Sequence, residues 1–255
     1  MPHPTHRDLD LEIKLQTALD SGRSVWVIGD VHGYFDTVSN LINKIDLKEG
    51  DFGVSLGDLI DRGPDSAQTI RMFRKEKRLI FLLGNHEHMM LRALETNRNK
   101  SWNSWLKFGG LETLRSFGIE RDNHEELAEE WVDYLNTIPT EIVLDKFRLV
   151  HAGFDSSREL EDQRDHERLW SREIFNSKST IDEKRQVIVG HTPVQQIDEM
   201  GNHGPWISKL KLSDGRSAIV GIDTGISLDG DSSARLTAIN LQDGEMVVAG
   251  KVDNQ

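Results

Sequence analysis

Short apolar runs, each followed by a polar loop containing glycine, organise the first part of the chain. Three such runs predict buried strands, and the segments after them have the apolar spacing of helices. The predicted strands are residues 24–28, 52–56 and 79–83, and the predicted helices include residues 7–22, 35–44 and 65–76. The unit of strand, polar loop and helix therefore occurs three times within residues 24–97. This alternation predicts an α/β fold with buried strands.

The next segment, about residues 98–138, has a different pattern that predicts a helical insertion. Trp102, Trp105 and Phe108 recur at every third position, and Gly109 with Gly110 interrupts the pattern. Packing in a core is the first interpretation of this aromatic stripe. The alternative is a helical cap over the functional site that contributes a wall to the substrate pocket.

The remainder of the chain returns to short apolar runs that predict strands. They cover residues 141–144, 147–150, 187–189, 206–212, 217–222, 236–241 and 246–248. The Asp-Gly pairs at residues 214–215 and 243–244 predict antiparallel hairpins. Because no linker or internal repeat is evident, residues 1–255 are predicted to form a single domain with one helical insertion.

Composition narrows the function classes. The chain has 255 residues, a formal net charge of −12 and no cysteine. The absence of cysteine excludes disulfides, thiolate zinc sites, iron–sulfur clusters and a thiol nucleophile. The acidic balance argues against binding of a nucleic-acid duplex. With no apolar run long enough to span a bilayer and no signal-peptide pattern at the start, we expect a cytoplasmic protein that binds no membrane.

Chemistry-bearing residues cluster where the predicted strands end. Five strand ends combine Asp, Asn or His with glycine, in the motifs GDVHG (29–33), GDLIDRG (57–63), GNHE (84–87), HAG (151–153) and GHTP (190–193). Ligands of α/β sheets bind beyond the carboxyl ends of strands. A single Asp or His there is usually a cap or a surface residue, but five such motifs favour a metal site. Mixed carboxylate, imidazole and amide ligands suit manganese, iron or zinc better than calcium or magnesium.

Together these motifs resemble the calcineurin-like metallophosphoesterases. Within that family they are most similar to the phosphoprotein phosphatase group, and there to the serine/threonine protein phosphatases of bacterial and lambda-phage type. The likeness spans about residues 24–240. It implies a four-layer αββα sandwich of two mixed sheets, of α/β (α+β) class. It also implies two divalent metal ions, with Mn²⁺ as first choice and Fe or Zn as alternatives.

The resemblance also implies a metal ligand for each motif. Asp30 and His32 would bind the first metal, and Asp58 would bridge both. The second metal would be completed by Asn85, His151 and His191.

Four further residues would act on the substrate. His86 would be the general acid and Asp61 its orienting partner, while Arg62 and Arg172 would bind phosphate oxygens, with Asn85 also contacting substrate. A solvated surface position is the rival interpretation for Arg172, because residues 161–173 are densely charged. Asp223 and Glu87 are not among the proposed ligands: Asp223 could orient a ligand or shape a turn, and Glu87 is expected to stabilise a loop or helix start.

The activity implied is hydrolysis of phosphomonoesters by direct attack of a metal-bridging hydroxide. The expected substrates are phosphoserine and phosphothreonine proteins, with phosphotyrosine as a further candidate, and small aryl phosphates. No obligate regulatory subunit is expected. A diadenosine tetraphosphate hydrolase is the alternative, although that group tends to lack the aspartate present here as Asp61. A less favoured hypothesis is a non-catalytic, metal-stabilised scaffold that binds phosphorylated partners.

Overall fold

Two five-stranded mixed sheets form the centre of the protein. The computed structural model describes residues 7–96, 99–120, 125–197, 204–228 and 230–252. In the first sheet the strands are β1 (Val25–Ile28), β2 (Phe52–Ser55), β3 (Leu79–Phe81), β9 (Arg235–Asn240) and β10 (Met246–Gly250). Their order is β10-β9-β1-β2-β3, with β1, β2 and β3 parallel. The hairpin predicted at residues 243–244 joins the antiparallel pair β9 and β10.

The second sheet is built from the later strands. These are β4 (Glu141–Val143), β5 (Phe147–Val150), β6 (Gln186–Val189), β7 (Trp206–Ile207) and β8 (Ile219–Gly221), in the order β4-β5-β6-β8-β7. Here β5, β6 and β8 are parallel, and β4 and β7 are antiparallel edge strands.

The strand predicted over residues 206–212 is interrupted in its middle. Trp206–Ile207 pairs with β8, the backbone N–H of Ser208 donates to the carbonyl of Ile219, and pairing resumes at Lys211, which forms an isolated bridge with Ser217. The interruption has a local cause, because the Ser208 hydroxyl accepts a hydrogen bond from the backbone N–H of Leu210 at 3.0 Å. Such a turn competes with ladder pairing.

Helices flank the sheets. They are α1 (Leu9–Asp20), α2 (Phe35–Ile45), α3 (Ser66–Lys75), α4 (Asn85–Thr96), α5 (Asn99–Trp105), α6 (Leu111–Phe117), α7 (Glu125–Leu135) and α8 (Asp165–Trp170). A wider π turn, Leu106–Gly110, joins α5 to α6. Helices α5–α7 fall in the predicted insertion, of which residues 98 and 121–124 lie outside the described ranges. The helices in the described part of the chain are too short or too polar to cross a bilayer.

Successive side chains along each strand point to opposite faces of the sheet, and this alternation separates the apolar core into layers. Val27 of β1 and Ile188 of β6 lie in the apolar core between the two sheets. Ile28 faces the other way, toward α2, α3, α4 and α7. Val187 of β6 faces a thinner outer layer built from Phe154 and Ile174. The result is the αββα sandwich that the family resemblance implied, and the carboxyl ends of both sets of parallel strands meet at one edge.

Candidate metal centre

Asp58 is the central acidic residue at this edge. It directly follows the β2 turn and has a left-handed backbone, with φ of 50°. Its Oδ1 lies 3.4 Å from Nε2 of His151, and its Oδ2 lies 3.7 Å from Nε2 of His32. Burial raises the pKa of Asp58, but the surrounding imidazoles outweigh it and hold that pKa well below its usual range. Asp58 is therefore an ionised carboxylate that lies between several imidazoles able to bind a metal.

Two sets of side chains bring potential ligand atoms within 4.8 Å of one another. One set is His32, Asp58 and His86, and the other is Asp58, His151 and His191. Asp58 belongs to both, which is the arrangement that two cations bridged by one carboxylate require. The donor chemistry, imidazole nitrogen with carboxylate oxygen, also fits a divalent transition metal.

Backbone carbonyls orient two of the imidazoles. Nδ1 of His32 lies 3.1 Å from the carbonyl oxygen of Ile60, and Nδ1 of His151 lies 2.9 Å from that of Leu56. A ring whose Nδ1–H donates to a carbonyl presents the lone pair of Nε2 to the centre. Burial is the main cause that lowers the pKa of both rings, which keeps them neutral and able to bind a metal.

Asn85 connects the remaining two histidines. Its Oδ1 lies 2.8 Å from Nε2 of His151 and 2.8 Å from Nδ1 of His191. Burial, followed by the neighbouring His151, lowers the pKa of His191 to about 3. The predicted second metal set, Asn85, His151 and His191, is therefore brought together around Asp58.

Asp30 is buried near the same centre but is oriented differently from the other predicted ligands. Both of its oxygens accept the backbone N–H of His191, at 3.1 and 3.0 Å, and it lies outside the two convergent sets. Burial and the charges of Asp223 and Asp58 raise its pKa well above the usual value. A bound cation would relieve this repulsion between buried carboxylates.

Asp223 is a residue that the sequence interpretation left out of the proposed ligands. It follows β8, is buried, and its Oδ1 accepts the backbone N–H of Gly225 at 2.9 Å. Burial is the main cause that raises its pKa to about 6. The signal was present in the sequence, because an apolar run ending in Gly221-Ile222-Asp223 repeats the strand-end pattern of the other motifs.

His86, a member of the first metal-capable set, forms a hydrogen-bonded pair with Asp61. Nδ1 of His86 donates to Oδ2 of Asp61 across 2.7 Å, and both side chains are buried. Burial lowers the pKa of His86, but the charges of Asp58 and Asp61 outweigh it and leave the pKa raised. His86 therefore has one nitrogen fixed by Asp61 and the other, Nε2, facing the centre.

The two predicted phosphate-binding arginines lie in different environments. The guanidinium of Arg62 lies 3.0 Å from Nε2 of His32 and 3.0 Å from Nε2 of His86, so it lies directly against the centre. Arg172 follows α8, is exposed, and donates to Oε1 of Gln196 at 3.2 Å. Its charge contributes to lowering the pKa of His191, after larger effects of burial and His151. Arg172 therefore lies at the rim rather than in the buried cluster.

Comparison with known proteins agrees with this geometry. A site of metal-capable sets sharing one carboxylate, at one edge of an αββα sandwich, defines a metallophosphoesterase. Residues 23–216 match the model of the calcineurin-like phosphoesterases, and the chain belongs to that family. The predicted family, fold class and enzyme class are confirmed: the protein is a metallophosphoesterase, a class that hydrolyses phosphoesters with divalent metals.

Individual relatives are similar over most or half of the chain. Serine/threonine-protein phosphatase 1 of Salmonella typhimurium is 30% identical over 199 residues, covering 75% of this chain and 88% of that protein. An asymmetrical bis(5'-nucleosyl)-tetraphosphatase of Bacillus subtilis is 31% identical over 143 residues, 50% of this chain and 56% of that protein. A solved serine/threonine phosphatase from Saccharomyces cerevisiae shares the fold, with a TM-score of 0.62 at 14% identity, over 97% of this chain and 91% of that chain.

Proposed function

We propose that this protein is a dinuclear phosphomonoesterase that acts on phosphoserine and phosphothreonine in proteins and on small aryl phosphates. The observation that carries the proposal is the His86–Asp61 pair, 2.7 Å apart, in which His86 is itself a member of one of the two metal-capable sets that share Asp58. A binding scaffold would have no need for an oriented imidazole at that position. The named activity of the Salmonella relative supports the protein substrate, and phosphotyrosine is kept as a further candidate.

The proposal assigns the metals to the residues described above. Two divalent cations, Mn²⁺ first and Fe or Zn as alternatives, would be held by Asp30, His32, Asp58, Asn85, His151 and His191. When bound, such cations supply an activated water and neutralise phosphoryl charge. The chain would act as one catalytic domain, in the cytoplasm, with residues 98–138 as a helical insertion and with no obligate regulatory subunit.

The protein's own side chains would then position the ester and move one proton. A guanidinium presents a planar fork of donors to phosphate oxygens, so Arg62 would bind the phosphoryl group at the centre and Arg172 at the rim. Asn85 would contact the same group. His86 would protonate the leaving oxygen from Nε2, because Asp61 fixes the opposite nitrogen.

A nucleotide hydrolase is the second candidate, and the Bacillus relative favours it. Its substrate would place a nucleoside phosphate where the first proposal places a serine or threonine residue. The presence of Asp61 favours the protein phosphatase, because members of the nucleotide-hydrolysing group tend to lack it.

One set of assays separates these candidates. The metal-stripped protein, reconstituted with Mn²⁺, is assayed on p-nitrophenyl phosphate, on phosphoserine, phosphothreonine and phosphotyrosine peptides, and on diadenosine tetraphosphate. We expect the highest kcat/KM among the physiological classes on the phosphoserine or phosphothreonine peptides. A higher value on diadenosine tetraphosphate would favour the second candidate, and metal binding with no turnover of any substrate would contradict both.

A further inference from the structure

The helical insertion meets the candidate site at one buried carboxylate, that of Asp61. Trp105, in α5, donates from Nε1 to both oxygens of Asp61, at 3.1 and 3.0 Å. Thr113, in α6, donates from its hydroxyl to Oδ1 at 2.6 Å. All three side chains are buried. Asp61 is thus held from one side by His86 and from the other by the insertion.

The side chains around the Asp61 carboxylate all donate hydrogen bonds to it. His86, Trp105 and Thr113 each present an N–H or O–H to its two oxygens. The backbone N–H of Asp61 in turn donates to the hydroxyls of Ser66 and Thr113, at 2.9 and 3.0 Å. The Thr113 hydroxyl therefore bonds Asp61 twice: it donates to the carboxylate and accepts from the backbone N–H of Asp61. A carboxylate held on both oxygens has little freedom to rotate away from His86.

The bend in the insertion is what lets Trp105 and Thr113 reach the same group. They are eight positions apart, which in a continuous α-helix is a separation of about 12 Å along the axis. The π turn between α5 and α6, with Gly109 at φ of 115°, breaks that helix. Gly110 then allows the indole to pack closely, since a Cβ there would lie 2.6 Å from the Trp105 ring. The two consecutive glycines serve the convergence on Asp61.

We propose that Trp105 and Thr113 are positioning residues of the phosphatase reaction, holding Asp61 so that Nδ1 of His86 is fixed and Nε2 faces the leaving group. This inference rests on the proposed function, because it assigns His86 the role of general acid. It extends the role of the insertion beyond core packing. Core packing alone does not require Trp105 and Thr113 to donate hydrogen bonds to Asp61. Those hydrogen bonds, in turn, do not require the insertion to cover the site.

The test uses substitutions that remove one hydrogen bond and keep the shape. Thr113→Val removes the hydroxyl, Thr113→Ser retains it, and Trp105→Phe removes the indole N–H. Trp131→Phe is the matched control, because Trp131 is an equally buried tryptophan of the insertion whose Nε1 has no partner among the described residues. Thr69→Val controls for loss of a buried hydroxyl, which in Thr69 donates to the backbone carbonyl of Asp65.

The first readout is the dependence of kcat on the leaving group. Phenyl phosphate needs its leaving oxygen protonated more than p-nitrophenyl phosphate does. We expect Thr113→Val and Trp105→Phe to lower kcat on phenyl phosphate by about tenfold to a hundredfold, and much less on p-nitrophenyl phosphate. Thr113→Ser should restore the phenyl phosphate rate, and the two control variants should lower both rates equally or not at all.

The second readout separates positioning from general damage. In a His86→Asn background the same substitutions should cost nothing further, because they act through His86. Histidine ¹⁵N NMR of the metal-free protein, with the His86 signal assigned by its loss in His86→Asn, should show Nδ1–H in the wild type. That signal should be weakened in Thr113→Val.

Two outcomes would overturn the inference. One is an equal loss on both aryl phosphates; the other is a loss of the same size with and without His86. If the wild-type protein hydrolyses no phosphate ester, the proposed function fails instead, and the NMR comparison still tests whether Thr113 orients His86. If Trp105→Phe does not fold, Thr113→Val and Thr113→Ser decide the question.

Discussion

The carboxylate of Glu87 accepts the backbone N–H of Asp58 at 2.9 Å. It also accepts the N–H groups of Leu59, Ile60 and Gly84, at 2.7, 3.2 and 3.0 Å. Through these hydrogen bonds the buried Glu87 holds the left-handed turn that directs Asp58 into the centre. This agrees with the expectation that Glu87 stabilises a loop rather than contacting substrate.

Replacing Glu87 with Gln should damage that turn. An amide has one acceptor oxygen, and its NH₂ would face backbone N–H groups that need an acceptor. We expect a loss of about 3 kcal/mol in the free energy of unfolding. We also expect about tenfold to a hundredfold weaker metal binding. Denaturant unfolding and metal titration would measure the two effects.

Glu95→Gln, in the same helix but at a partly exposed ion pair with Arg92, should change stability by less than about 1 kcal/mol. Equal effects at both positions would contradict the role of Glu87.

Asp58→Asn should abolish metal binding and activity together. The substitution removes the charge that both metal-capable sets share, while the side chain keeps its size. Metal content after dialysis and kcat on p-nitrophenyl phosphate are the two measurements. Asp36→Asn provides a control, since Asp36 is an exposed acidic residue in the first turn of α2. An Asp58→Asn protein that retained two metals per chain would exclude the bridging role.

Gly109→Ala should displace the backbone of Arg62 and also lower the free energy of unfolding. Gly109 has φ of 115°, its carbonyl accepts the backbone N–H of Arg62 at 3.3 Å, and a Cβ would lie 2.6 Å from that nitrogen. Gly118→Ala is the comparison, because Gly118 also has positive φ but open space around it. We expect a destabilisation of about 1 kcal/mol for Gly118→Ala and of at least about 2 kcal/mol for Gly109→Ala. A raised KM for phosphate esters should accompany only Gly109→Ala, and unchanged kinetics in both variants would argue against contact with Arg62.

Asp182 provides a test of acid stability away from the centre. Its Oδ2 accepts Nε of Arg148 at 2.8 Å, with both side chains nearly buried. Burial raises the pKa of Asp182, but hydrogen bonds from Arg148 and from backbone N–H groups outweigh it, so the folded-state pKa lies below the ordinary value. The stabilisation is therefore present above the unfolded-state pKa, about 4, and is lost as the pH falls through the folded-state pKa.

Asp182→Asn should accordingly destabilise the protein at pH 7 by about 3 kcal/mol, because it leaves the Arg148 guanidinium with one charged partner fewer in a buried site. Its stability should also fall less steeply than that of the wild type as the pH decreases below about 4. Urea unfolding at a series of pH values measures both. Asp214→Asn, at the more exposed pair with Arg216, should cost much less than Asp182→Asn, because solvent screens that pair. A similar cost at both sites would argue against the buried pair.

Local pattern accounts for what the sequence predicted well. An apolar run that ends in Gly-Asp or Gly-Asn is a strand running into a ligand loop, so β1, β2 and β3 and the residues after them could be located from neighbouring residues alone. The predicted strand over residues 206–212 is interrupted because a side-chain turn at Ser208 competes with the ladder, and apolar content does not report such a turn.

The sequence by itself determined the fold class, the strand-end motifs and the chemical type of the site, because each depends on residues adjacent along the chain. The family resemblance already implied that Asp58 bridges two metals, but tertiary structure alone decided that Asp30 bonds the backbone of His191. It alone placed Trp105 and Thr113, which lie 44 and 52 positions after Asp61, on that carboxylate. Such contacts depend on how sheets and helices pack, and residue spacing within one segment carries no information about them.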